Sequence, residues 1–233
     1  MPIDAQTLDL ARRGDLTAIV AVLCGVMPGA FRITAGLTGN LVLTTRIVRV
    51  LVRQGSRVIG SWSDLDEPVR WSRHHAILLT RRVAHVKPNA ESDTLFEPAD
   101  SSVIDRAFVR AVRELPRQQQ EAFILCHGEK LDLRETAVAM DCSTQAAEQH
   151  LREATRALKV IAQDGFLRGA ASLGTAYSRL TPQDAALRAT IVRGVRRAII
   201  PRRIARTVVI MLEILILLLF AVIAWKLYPR LVY

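Results

Sequence analysis

The segment LDLRETAVAMDCSTQAAEQHLREATRALK, Leu131–Lys159, decides the fold. Asp132 followed three residues later by Glu135 is a capping-box pattern, in which the two side chains satisfy backbone N–H groups at a helix start. Leu133, Thr136, Ala137 and Met140 then recur at helical spacing as an inner face. Asp141-Cys142-Ser143 reads as a tight turn, and Ser143 is suited to cap a longer helix from Thr144 to about Val160. That helix would bury Ala147, Leu151, Ala154 and Leu158; the small Ala137 and Ala147 let the two helices cross closely. The pattern predicts a helix-turn-helix, whose second helix lies in the major groove of DNA. Thr144, Gln145, Glu148, Gln149 and Arg152 would face base edges, and Arg134, Arg156 and Lys159 would reach phosphates. An ordinary helical hairpin carries the same periodicity, so the motif alone leaves both readings open.

Working outward, Arg, Ala and Leu dominate the 233 residues, aromatics make up 5%, and alternation of the β type is absent from most of the chain. An all-α fold is expected. Residues 1–86 form a first helical block punctuated by glycines, 87–102 (KPNAESDTLFEPADSS from Lys87) read as a linker, and 103–161 hold the helix-turn-helix block. Residues 162–206 read as a linker, with Gly- and Ser-containing chain to Pro182, followed by a basic amphipathic segment with Leu187, Ile191, Val195 and Ile199 on one side.

The tail has a different character. Arg193, Arg196, Arg197, Arg202, Arg203 and Arg206 run into an apolar segment whose one charge is Glu213. A bilayer-spanning helix takes ~20 mostly apolar residues, and 207–226 are close to that length. Trp225 and Tyr228 fall where interfacial aromatics belong, and a short tail, 227–233, follows. The arginines precede the span, so the N-terminus and the body are expected in the cytoplasm, on the inner face of the cell membrane, with a single pass. From Pro182 on, nine basic and two acidic residues give +7 of the formal +10. The body is therefore only weakly basic. The three cysteines, Cys24, Cys126 and Cys142, form no paired framework and fit a reducing compartment.

With those residues in view, the stretch from Leu115-Pro116 through Glu121, Phe123, Leu125, Leu131, Glu135, Ala137, Ser143, Leu151, Ala154 and Leu158 resembles region 4 of bacterial RNA polymerase sigma factors of the extracytoplasmic-function class. Gly14-Asp15, Pro28 and Leu37-Thr38-Gly39 are similar to region 2 of the same class, with Trp71 at the tryptophan of its promoter-melting helix. The resemblance runs over about 8–160 and leaves out the tail. It implies two small helical domains, promoter DNA and core RNA polymerase as partners, and a melting helix carrying Arg70, Trp71, Arg73, Arg81 and Arg82. The chain departs from the family at the polymerase-docking stretch. An acidic run is replaced by Leu43-Thr44-Thr45-Arg46-Ile47-Val48-Arg49-Val50, so Arg46 and Arg49, the polymerase-contact candidates, carry the opposite sign. Ile77-Leu78 replace the family's Arg-Asn pair, and Glu148 and His150 replace a Lys and an Arg of the recognition helix.

The expectation is a membrane-anchored, sigma-like DNA-binding protein directing transcription initiation. The alternative is a degenerate sigma-like scaffold that holds a partner or regulatory protein at the membrane without recruiting polymerase. No enzyme is expected: the chain has no phosphate-cradling glycine loop, no paired catalytic carboxylates and no nucleophile beside a placed base. Cys126, His127, Cys142 and His150 match no usual zinc spacing, so neither metal nor cofactor is expected.

Overall fold

The computed structural model describes residues 3–83, 103–180 and 184–231, leaving aside the side chains of 103–106, 184, 201–207 and 221–231. The expected linker at 87–102 and the last two residues of the tail lie outside the described residues. Among those described, every regular element is helical. Residues 1–195 form one compact unit and 196–233 a second.

The compact unit begins with α1 (Ala5–Arg12), α2 (Leu16–Thr38), α3 (Leu41–Val58) and α4 (Glu67–Val83). Polar caps set the starts: Asp4 accepts from the Thr7 N–H, Asp15 from Ala18 and Asn40 from Leu43. α2 is apolar on most of its surface because it is the central helix, contacted by α1, α3 and α4. It is also the one described helix long and apolar enough to cross a membrane, yet its Ile19, Val22, Leu23, Met27 and Ile33 are core residues of this block.

The second block holds α5 (Val103–Glu114) and α6 (Arg117–Phe123), which runs into a π turn at Ile124–Gly128. Next come α7 (Leu133–Met140) and α8 (Thr144–Ala162). α7 starts with the expected capping box, both bonds of which are present between Asp132 and Glu135. Asp141 ends it in the left-handed conformation, φ 57° and ψ 52°, and the Ser143 hydroxyl accepts from Ala146 to start α8.

One stretch differs from the sequence expectation. Chain after 162 that reads as linker contains α9 (Phe166–Ser178), and α10 runs from Asp184 to Leu231. α9 was hard to see because Gly169, Ala170, Ala171, Gly174 and Ala176 dilute its apolar periodicity, and glycine is a poor helix former. Those small residues are what let it pack closely: a Cβ at Gly169 would come within 2.5 Å of the Phe108 ring. Tyr177, fully buried, is wedged against Gly36 of α2 and Gly128 of the π turn, where added Cβ atoms would come within 2.8 and 2.9 Å of its ring. Burial pushes its phenol pKa well above the usual value.

The first and second blocks are held together by arginine–glutamate pairs within the compact unit. Glu121 of α6 is wholly buried and receives Arg81 of α4 at 2.6 and 3.0 Å and Arg117 at 3.2 Å. Arg81 also donates to the Met140 carbonyl at 3.0 Å, and Arg117 to the Arg81 carbonyl at 3.3 Å. Arg32 of α2 makes a two-pronged bond to Glu129, 2.7 and 3.1 Å. Two-pronged Arg–carboxylate bonds fix orientation as well as energy.

The second unit consists of α10 from Arg196 on. Its described apolar run, Val208–Phe220, presents exposed side chains throughout and is shorter than the ~20 residues of a full span. The rest of the expected 207–226 span is helical backbone whose side chains lie outside the described ones.

Removing one partner of a buried ion pair costs about 3–5 kcal/mol, because the other charge is left desolvated and alone. Glu121→Ala is therefore expected to lower unfolding stability by that amount. Arg70→Ala, which breaks an exposed pair with Asp64 at 2.8 Å, is expected to cost under about 1 kcal/mol. Denaturant titration followed by tryptophan fluorescence checks the order; equal costs would contradict it.

Candidate nucleic-acid interface

The face of α8 follows from its periodicity. At 3.6 residues per turn, Thr144, Gln145, Glu148, Gln149, Arg152, Arg156 and Lys159 fall within an arc of ~140°. Ala147, Ala154 and Leu158 fall on the opposite side and are buried. Thr144, Gln145, Gln149, Arg152, Arg156 and Lys159 are exposed, and Glu148 is half-exposed. Arg134 is exposed on α7. The structure thus brings all eight expected DNA-contacting residues onto the outside of one helix-turn-helix.

Several of these side chains are already engaged. Arg152 lies 3.9 Å from Glu148, a loose pair one helical turn apart. Gln149 donates to Glu153 at 3.0 Å, and Gln119 of α6 donates to the other oxygen of Glu153 at 3.0 Å. These bonds, Gln149 foremost, lower the pKa of Glu153. Lys159 sits over the Phe166 ring at 5.5 Å, a cation–π distance. Glu153 is not among the expected contacts, although its charge on the recognition helix is legible in the sequence. The face therefore carries Arg152, Arg156 and Lys159 against Glu148 and Glu153. Phosphate binding depends on net positive charge, and the two carboxylates offset two of the three cations here.

The α4 candidates are distributed differently. Arg70 pairs with Asp64, and Arg82 is exposed. Trp71 is half-buried: His75 stacks on it at 4.3 Å and Trp62 lies at 5.6 Å, so the indole packs within its own block. Desolvation there lowers the His75 pKa. Arg73 reaches Glu135 of α7 at 3.2 Å, and His74 Nδ1 lies 3.2 Å from the Ala139 carbonyl. Arg81 is committed to Glu121. α4 therefore shares a contact surface with α6 and α7, and two of the five expected melting residues spend their charge on it.

Arg46 and Arg49 are exposed on α3. The sulfur and imidazole groups weighed for zinc do not assemble: Cys126 bonds the Thr136 hydroxyl at 3.3 Å and His127 packs against Phe123 at 4.3 Å. Burial lowers the His127 pKa, favouring the neutral ring. Among the described residues no three His, Cys, Asp or Glu side chains gather as a metal site would require.

With this geometry in place, comparison with known proteins adds one finding. Residues 105–158 match the family "Sigma-70, region 4". The match begins within α5, includes both helices of the helix-turn-helix, and ends at Leu158, four residues before the end of α8. It takes in less than a quarter of the chain. No curated protein matches the chain.

Proposed function

We propose that this protein is a membrane-anchored, sigma-like DNA-binding protein of the extracytoplasmic-function type, acting in transcription initiation from the cytoplasmic face of the cell membrane. The observation that carries the DNA-binding part is the helix-turn-helix built by α7 and α8, which lies, up to Leu158, within the stretch similar to sigma-70 region 4. Thr144, Gln145, Glu148, Gln149 and Arg152 read bases in this proposal. Arg134, Arg156 and Lys159 hold phosphates, and Glu148 is suited to accept from a cytosine amino group. Residues 1–86 serve as the region 2-like domain, with Arg70, Trp71, Arg73, Arg81 and Arg82 on the melting helix. The anchor rests on the six arginines followed by the apolar run in the tail, 207–226.

Two observations favour the second reading, a scaffold that no longer recruits polymerase. Arg46 and Arg49 stand exposed where the family is acidic, and Arg73 and Arg81 are bonded to the helix-turn-helix block. Core polymerase separates the two. Full-length protein in detergent is expected to retain purified core polymerase on an affinity column. Failure to retain it, with duplex binding intact, assigns the scaffold role.

For the DNA face, Glu148→Lys is expected to raise affinity for any duplex and to steepen the salt dependence by about one phosphate contact. Arg156→Ala should weaken binding evenly across sequences. Fluorescence anisotropy at several salt concentrations measures both; no change on any duplex would remove α8 from the groove.

For the anchor, deletion of residues 207–233 is expected to move most of the protein from the membrane pellet to the supernatant. The juxtamembrane arginines alone contribute ~1 kcal/mol each at an anionic surface, so salt should strip the remainder. Full-length protein in the soluble fraction would contradict the anchor.

A further inference from the structure

α3 carries a row of cations that the DNA-binding reading leaves unused. Arg46, Arg49, Arg53 and Arg57 are all exposed, and α3 contains no carboxylate. At 3.6 residues per turn these four fall with Val42 and Val50 within an arc of ~100°, about 16 Å long from Arg46 to Arg57 at 1.5 Å per residue. Val42 is 77% exposed and Val50 37%. The opposite face, including Ile47, Val48, Leu51 and Val52, is buried in the block. No ion pair joins any of the four arginines to a carboxylate among the described residues, whereas Arg12, Arg32, Arg70, Arg73, Arg81, Arg117 and Arg152 each have one.

We propose that this arginine ridge of α3 lies on the anionic phospholipid headgroups of the membrane that holds the tail. The inference rests on the anchor reading and adds a second contact to it. Three observations select lipid. Val42 and Val50 interleave with the arginines; apolar side chains gain little against a phosphate backbone of DNA but are accommodated at the headgroup boundary of a bilayer. A row of one sign with no carboxylate gives a protein partner no alternating charges to fix register, and a fluid anionic surface needs none. Finally, α10 packs on α3 within the compact unit: a Cβ at Gly194 would come within 2.6 Å of Val52. Exposed Arg188 and Arg193 of α10 add further cations within the compact unit.

The test uses the full-length chain in lipid nanodiscs, either phosphatidylcholine alone or phosphatidylcholine with phosphatidylglycerol. Phenylglyoxal modifies accessible arginines, and peptide mass spectrometry reads each site. In the anionic discs, Arg46, Arg49, Arg53 and Arg57 should be modified about fivefold more slowly, the factor matching ~1 kcal/mol per arginine at such a surface. Arg134 and Arg156 should be unchanged, and high salt should abolish the protection. Equal modification of the ridge in both disc types overturns the proposal while leaving the anchor intact. Protection in neutral discs that appears only on adding duplex DNA or core polymerase also overturns it and assigns the ridge to that partner. A chain that co-purifies with neither disc overturns the anchor reading, and this proposal with it.

Discussion

A carboxylate with no access to water organises the compact unit. Glu121 is wholly buried and is bonded by both Arg81 and Arg117, and a carboxylate at that depth is costly unless it is paired. Arg81 belongs to α4 and Glu121 to α6, so satisfying this one group docks the N-terminal helices on the helix-turn-helix block. The Arg81 guanidinium continues to the Met140 carbonyl at the end of α7, and so also ties down the helix just before the turn. The Arg32–Glu129 pair and the Tyr177 wedge add further contacts around the π turn that follows α6. Such pairs add less net stability than apolar packing of the same volume, but they admit few alternative geometries.

This docking also bears on DNA recognition. The outward face of α8 is open, whereas α4 has part of its charge drawn into contacts with α6 and α7. The two surfaces a sigma-like protein would present to a promoter thus stand in different states in one molecule. The weak net charge of the α8 face fits the same balance, since Glu148 and Glu153 offset two of its three cations.

Local chemistry was legible in the sequence and long-range chemistry was not. Asp132, Glu135 and Ser143 announce the helix starts because capping acts over three residues, and the structure has those bonds. The outward face of α8 was readable because helical period fixes it. By contrast, nothing near Arg81 or Arg32 marks partners 40 and 97 residues away. The resemblance places Arg81 on a DNA-melting helix, whereas in the structure its charge serves the fold. α9 escaped because its glycines and alanines, which enable close packing, erase the apolar pattern by which a helix is recognised.

α9 carries a practical consequence for fragment boundaries. The similarity to sigma-70 region 4 stops at Leu158, before Phe166 begins α9. Yet Phe166 packs edge-on against Phe108 and Phe123, and Tyr177 closes the space beside Gly128. A piece cut at the end of the family match would bare these aromatic faces to water. The segment similar to the family and the segment that packs together are different lengths of chain here, and a fragment that keeps these contacts has to extend through α9.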